Sequence, residues 1–157
     1  MIIKRSLDYI IRLSNISCWY YIAAIAIGLI LWLKWKKLSV AILTTYCLII
    51  FSVAVLSRKA AYSVNNFIFL RSYRYGITPQ ILANILVFIP IGMILTRIKW
   101  KPLWIGPIYS LFIEFSQLIM HRGRFDVDDI VSNTIGIGVG CTCALIYWLI
   151  RNTNSCG

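Results

Sequence analysis

Five apolar stretches decide what this chain can fold into: Ser17–Leu33, Leu38–Ser57, Pro79–Thr96, Leu103–Met120 and Ile130–Ile150. Each is about 17 to 21 residues long, against the roughly 20 that an α-helix needs to cross hydrocarbon at a rise of about 1.5 Å per residue. A water-soluble domain of 157 residues cannot hide this much apolar surface, since 60% of the side chains are hydrophobic and the mean hydropathy is +0.80. The bilayer must serve as solvent. The stretches show no apolar/polar alternation, which argues against a small β-barrel. The predicted fold is therefore all-α, a polytopic transmembrane bundle of about five helices. Residues 1–16 differ: Lys4, Arg5, Asp8, Arg12 and Asn15 share one side of a helical wheel, with Ile2, Ile3, Leu7, Ile10, Leu13 and Ile16 around the rest. That is the pattern of an amphipathic helix lying in the membrane interface. A cleaved signal peptide is disfavoured because Leu29–Leu33 runs into Lys34, Lys36 and Lys37 with no small-residue cleavage site, so the first stretch is expected to be retained.

The formal net charge of +11 would suggest nucleic acid in a soluble protein. Here the basic residues sit at helix ends, where they orient the chain and touch anionic headgroups, so no nucleic-acid partner is expected. Lys34, Lys36 and Lys37 crowd the first short link, and Arg97, Lys99 and Lys101 crowd the third, which places both links in the cytoplasm. Lys4, Arg5, Arg12, Arg58, Lys59, Arg71 and Arg74 then fall on the outer face, and the shortness of the two links carries the assignment. Of the five cysteines, Cys18, Cys47, Cys141 and Cys143 lie in apolar runs as packing residues, and only Cys156 lies outside them. Neither a disulfide framework nor a metal or cofactor site is indicated.

A charge at the centre of a membrane helix costs about 2.5–3.5 kcal/mol on insertion scales, so polar residues inside these stretches need partners or a wet cavity. Glu114, Gln117 and His121 share one face of the fourth stretch. If the last helix begins near Phe125, then Asp126, Asp129, Asn133, Gly136 and Gly140 fall within about 80° of one another, acids first and small residues after. The acids would then sit in the first turn, where the helix dipole favours them. Asn84 lies near the same end of the third stretch, and Arg58, Arg71, Arg74, Arg122 and Arg124 can reach it. Two readings stay open: a network of ion pairs and amides that locks the bundle, or an outward-facing polar pocket whose arginines accept a phosphate or carboxylate. Pro90 and Gly92 mark a kink and a packing site, while Gly136, Gly138 and Gly140 form a small-residue face that admits another helix, from this chain or from a partner protein. The aromatic residues Tyr62, Phe67, Phe69, Tyr73 and Tyr75 read as an interfacial belt.

These residues resemble the VanZ-like membrane proteins, a family named for a teicoplanin-resistance protein. The resemblance rests on Asn84, Phe88, Pro90 and Gly92, on Glu114 and Gln117, and on the run Arg124, Asp126, Asp129, Asn133, Gly136 and Gly140. Ser57–Arg58 corresponds to the family's Ser-Arg, whereas its usual Pro-Phe is replaced here by Asn65–Asn66–Phe67–Ile68–Phe69. The implied organisation is an interfacial helix over 1–16, an extra membrane helix over 17–37, a VanZ-like four-helix core over 38–150 and a short polar tail over 151–157. The resemblance implies a multi-pass protein of the bacterial plasma membrane and cell envelope, with glycopeptide resistance belonging to one branch of the family. Three functions follow as expectations. In the first, the pocket binds an anionic lipid or the headgroup of a lipid-linked cell-wall precursor, with Arg58 and Arg124 as phosphate forks, Glu114 and Asp126 as counter-ions, and Asn84, Gln117 and Asn133 as amide contacts. In the second, Glu114, Asp126 and Asp129 hold Mg²⁺ for an enzyme acting on a polyprenyl phosphate or phospholipid, although no familiar catalytic motif is present. In the third, the glycine face docks another membrane protein, making the chain a structural subunit. A transporter is disfavoured by the lack of an internal repeat.

Overall fold

A computed structural model describes residues 18–35, 37–56, 58, 65–98 and 102–153. The expected interfacial helix and the last residues of the tail lie outside them. The described elements are α1 (Cys18–Trp35), α2 (Leu38–Phe51) continuing into a wide π turn (Ser52–Leu56), a 3₁₀ turn (Ser72–Tyr75), α3 (Pro79–Arg97), α4 (Pro102–Ile119) and α5 (Val127–Thr153). Each of the five apolar stretches thus becomes a helix, with ends displaced by a few residues. Among the described residues, three segments, Leu38–Leu56, Pro79–Arg97 and Val127–Thr153, are long and apolar enough to cross a membrane, and Trp19–Lys34 is a shorter apolar helix.

Local chemistry sets the helix ends. Thr78 caps α3 by accepting the Ile81 N–H at 3.3 Å, and Pro79 occupies the first turn, where its missing N–H costs nothing. The α5 helix starts at Val127 rather than near Phe125, because Asp126 folds back to cap it and accepts the Asp128 N–H at 3.0 Å. At the end of α2, the π turn frees backbone carbonyls that α4 and the loop after it satisfy. Gln117 Nε2 donates to the Ala54 carbonyl at 3.2 Å and Arg122 Nη1 to the Leu56 carbonyl at 2.8 Å. Hydroxyls within the helices bond back one turn, as Thr96 does to the Gly92 carbonyl at 2.9 Å, so they carry no unmet polarity into lipid.

The tightest helix pair is α3 with α5, and glycines are the reason. A Cβ on Gly92 would fall on the Ile137 carbonyl oxygen, one on Gly136 on the Ile85 carbonyl, and one on Gly140 on the Ile89 carbonyl. The glycine face offered by the sequence to a partner protein is therefore taken up inside the bundle. Only Gly138 looks away, with open space where its Cβ would stand. Beside this seam, Leu43, Ile50, Val55, Phe88, Ile91, Leu95, Ile113 and Ile137 form the apolar core, and α1 packs on α2 with Gly28 against Thr45. The molecule has the inverted distribution of a membrane protein. Trp104, Ile108, Phe112, Phe115 and Ile119 expose one side of α4, while Ser110, Glu114, Gln117, Asp126, Asp128, Ser132 and Asn133 are buried.

Candidate functional site

The end of α2, the first half of α3, the second half of α4 and the first half of α5 converge on a cavity of about 240 Å³. Arg58, Asn84, Glu114, Gln117, Asp129 and Asn133 form its polar part, and Ile49, Val53, Val87, Phe88 and Ile113 contribute its apolar wall. Six of the eight pocket residues expected from the sequence therefore line one space. Arg124 lines a neighbouring cleft of about 550 Å³ with Asn65, Arg71 and Gln80, and Asp129 borders both. Asp126 borders neither.

The hydrogen bonds explain this division. Glu114, 2% exposed, accepts the Asp126 backbone N–H at 2.8 Å. It thereby faces the α5 cap and not Arg124. The Asp126 carboxylate is consumed structurally: one oxygen takes the Asp128 N–H and the Asn66 amide at 2.8 Å, and the other pairs with the Arg124 guanidinium. Asp129 receives Gln80 Nε2 at 3.1 Å on both oxygens. Gln117, besides holding the π turn, accepts a long bond of 3.4 Å from Arg58 Nη1. Gly123, at φ +144°, passes directly beside that pair, where a Cβ would meet Gln117 Oε1 at 2.6 Å and Arg58 Nη1 at 2.9 Å. Asn133 donates to Ser110 Oγ at 2.7 Å.

Among the described residues, two buried polar atoms on the cavity residues have no hydrogen-bond partner: Arg58 Nε, a donor, and Asn133 Oδ1, an acceptor. An unmet buried polar group costs about 1–3 kcal/mol, so such atoms concentrate where something else binds. By contrast, of the acids expected to gather around Mg²⁺, Asp126 and Asp129 accept N–H groups on both oxygens and Glu114 on one, and among the described residues no group of three or more His, Cys, Asp or Glu could hold a metal ion.

Several residues beyond the sequence-based set build the floor of the site. The Asn66 N–H donates to the Phe125 carbonyl at 2.8 Å and the Val127 N–H to the Asn66 carbonyl at 3.1 Å, a single parallel bridge. Asp128, fully buried, accepts the Leu70 and Ser72 N–H groups at 2.6 Å each. Asn65 Oδ1 accepts the Phe125 N–H at 3.0 Å, Phe67 stacks on Phe125 at 5.2 Å, and Tyr73 pairs with Ser132 at 2.8 Å. The segment Asn65–Phe69, which departs from the family's Pro-Phe, is thus stitched to the start of α5. A proline at Asn66 could not donate the first of those bonds. Asp128 lies off the three-and-four spacing of Asp126, Asp129 and Asn133, and its doubled acid, Asp128–Asp129, was the available signal.

Helices of this length and polarity, with a buried polar cluster between them, define a multi-pass membrane protein. The VanZ/LLP1 family model matches residues 18–151, and the chain belongs to that family. The match takes in α1 as well as the 38–150 core on which the motif resemblance rests. No curated protein and no solved structure matches the chain.

Proposed function

We propose that this VanZ/LLP1 protein resides in the bacterial plasma membrane with five spans, and that it holds the phosphate-bearing headgroup of a lipid or lipid-linked cell-wall precursor in the cavity between α2 and α5. The polar end faces outward, and the α1–α2 and α3–α4 links face the cytoplasm. The observation that carries this reading is the cavity itself, apolar along one wall, polar at the other end, with Arg58 Nε and Asn133 Oδ1 buried and unpaired. An amphiphile matches both halves: its chain continues the apolar wall, while its headgroup supplies an acceptor to the guanidinium and a donor to the amide. Arg71 and Arg124 in the adjoining cleft add positive charge on the headgroup side. Catalysis has less support, because the acids are engaged by structural hydrogen bonds.

The test is lipid retention. Protein purified in mild detergent should carry a defined lipid identifiable by mass spectrometry. The Arg58→Ala and Asn133→Leu variants should lose it while accumulating in the membrane at wild-type levels. Equal retention by both variants would remove the cavity as the binding site.

A further inference from the structure

The cavity continues into an apolar groove. The groove lies between α1 and α2, has a volume of about 340 Å³, is lined almost wholly by apolar side chains, and shares Tyr46 and Ile49 with the cavity. Gly28 sets its floor: a Cβ there would fall on Thr45 Oγ1, so α1 closes onto α2 at that point. Ile25 and Leu29 on one side and Leu38 and Ile42 on the other are exposed, which leaves the groove open toward lipid. At the junction Tyr46 donates its hydroxyl to the Val87 carbonyl at 2.8 Å, so a hydrocarbon passing there strands no hydroxyl.

The length of this track discriminates among lipids. On α2 the groove begins at Leu38, the first residue of the span, and the cavity wall continues to Ala54 near its end. Leu38, Ile42, Thr45, Ile49 and Val53 fall within about 80° on the helical wheel, and the rise from Leu38 to Ala54 is about 24 Å at 1.5 Å per residue. One leaflet contributes about 15 Å, half of a hydrocarbon core of roughly 30 Å. The chain of an ordinary phospholipid anchored at Arg58 therefore ends near Tyr46 and Ile49, in the middle of the span, and does not enter the groove. A chain longer than one leaflet fills both. We propose that the α1–α2 groove holds the distal part of a polyprenyl chain whose phosphate sits at Arg58, so that the ligand is a long-chain isoprenoid phosphate and not a diacyl phospholipid. The inference rests on the reading of the cavity as a lipid-headgroup site.

The experiment is native mass spectrometry of the full chain in non-ionic detergent, titrated with undecaprenyl phosphate, farnesyl phosphate and phosphatidic acid, three phosphate monoesters that differ in their tails. Undecaprenyl phosphate should bind at least ten-fold more tightly than either of the others. Ile25→Trp and Ile42→Trp fill the groove from exposed positions outside the cavity. They should reduce that preference to under three-fold and leave phosphatidic acid binding unchanged. Each variant is compared with wild type in the same micelle, so partitioning of the lipid into detergent cancels. Arg58→Gln should weaken all three lipids alike. Farnesyl phosphate or phosphatidic acid binding as tightly as undecaprenyl phosphate, or a preference untouched by both tryptophan variants, overturns the groove assignment and leaves the cavity as a lipid site. A dimer in the same spectra that either tryptophan variant dissociates would give the groove to a second copy of the chain and overturn the proposal. Absence of saturable binding by any of the three overturns the cavity as a lipid site as well.

Discussion

At the residue scale, Asp128 is the hinge between loop and bundle. Its carboxylate is fully buried and takes two backbone N–H groups at 2.6 Å, from Leu70 and Ser72. Hydrogen bonds to a charged group contribute about 1.5–3 kcal/mol each, and Asp128→Ala would strand two donors. We expect that variant to lower the melting temperature in detergent markedly, with Asp128→Asn intermediate because one acceptor remains. A wild-type melt for Asp128→Ala would show that the loop is held otherwise. Leu70 provides the opposite sign. It stands at φ +57° with its side chain 41% exposed, a left-handed conformation that costs an L-residue roughly 1–2 kcal/mol. Leu70→Gly should therefore be neutral or raise the melting temperature, and a clear decrease would refute the assignment of strain to that turn.

At the element scale, α3 and α5 meet backbone to backbone through Gly92, Gly136 and Gly140. A larger side chain there must push the helices apart, and overpacking of this kind costs about 1–3 kcal/mol or more. Gly136→Leu and Gly140→Leu should accumulate poorly or melt earlier, whereas Gly138→Leu should behave as wild type because its side chain enters open space. If all three variants behaved alike, the seam would not be the determinant of helix packing. The same seam sets the depth of Asn84 against Asn133, so the destabilised variants should also lose bound lipid.

At the scale of the whole molecule, the proposed topology makes a prediction independent of the ligand. In a background lacking the native cysteines, Ile77→Cys, in the exposed turn before α3, should react with a membrane-impermeant maleimide in intact cells. Lys36→Cys and Lys99→Cys should react only after permeabilisation. The reverse pattern would place the polar cluster on the cytoplasmic side. Orientation follows from basic residues in short links, which resist translocation.

Much of this architecture was legible in the residues themselves. Helix number and position follow from apolar run length, because backbone groups in hydrocarbon must be satisfied within the segment. The shared cavity was legible too, since Glu114 and Gln117 on one helix and Asp129 and Asn133 on another repeat at intervals that keep one face. Periodicity relates only residues of a single helix, so it could not distinguish the acid that caps a helix from the acid that lines a cavity. Asp126 and Asp129 share a stripe, yet the turn at Arg124–Asp126 directs the first into the cap and leaves the second at the cavity wall. Nor could it show that the glycine face turns inward, that Asn66 and Asp128 tie a loop across the site, or that Arg58 Nε and Asn133 Oδ1 remain unpaired. Those facts depend on which side chains meet across helices far apart in the chain, and only the packed tertiary structure decides that.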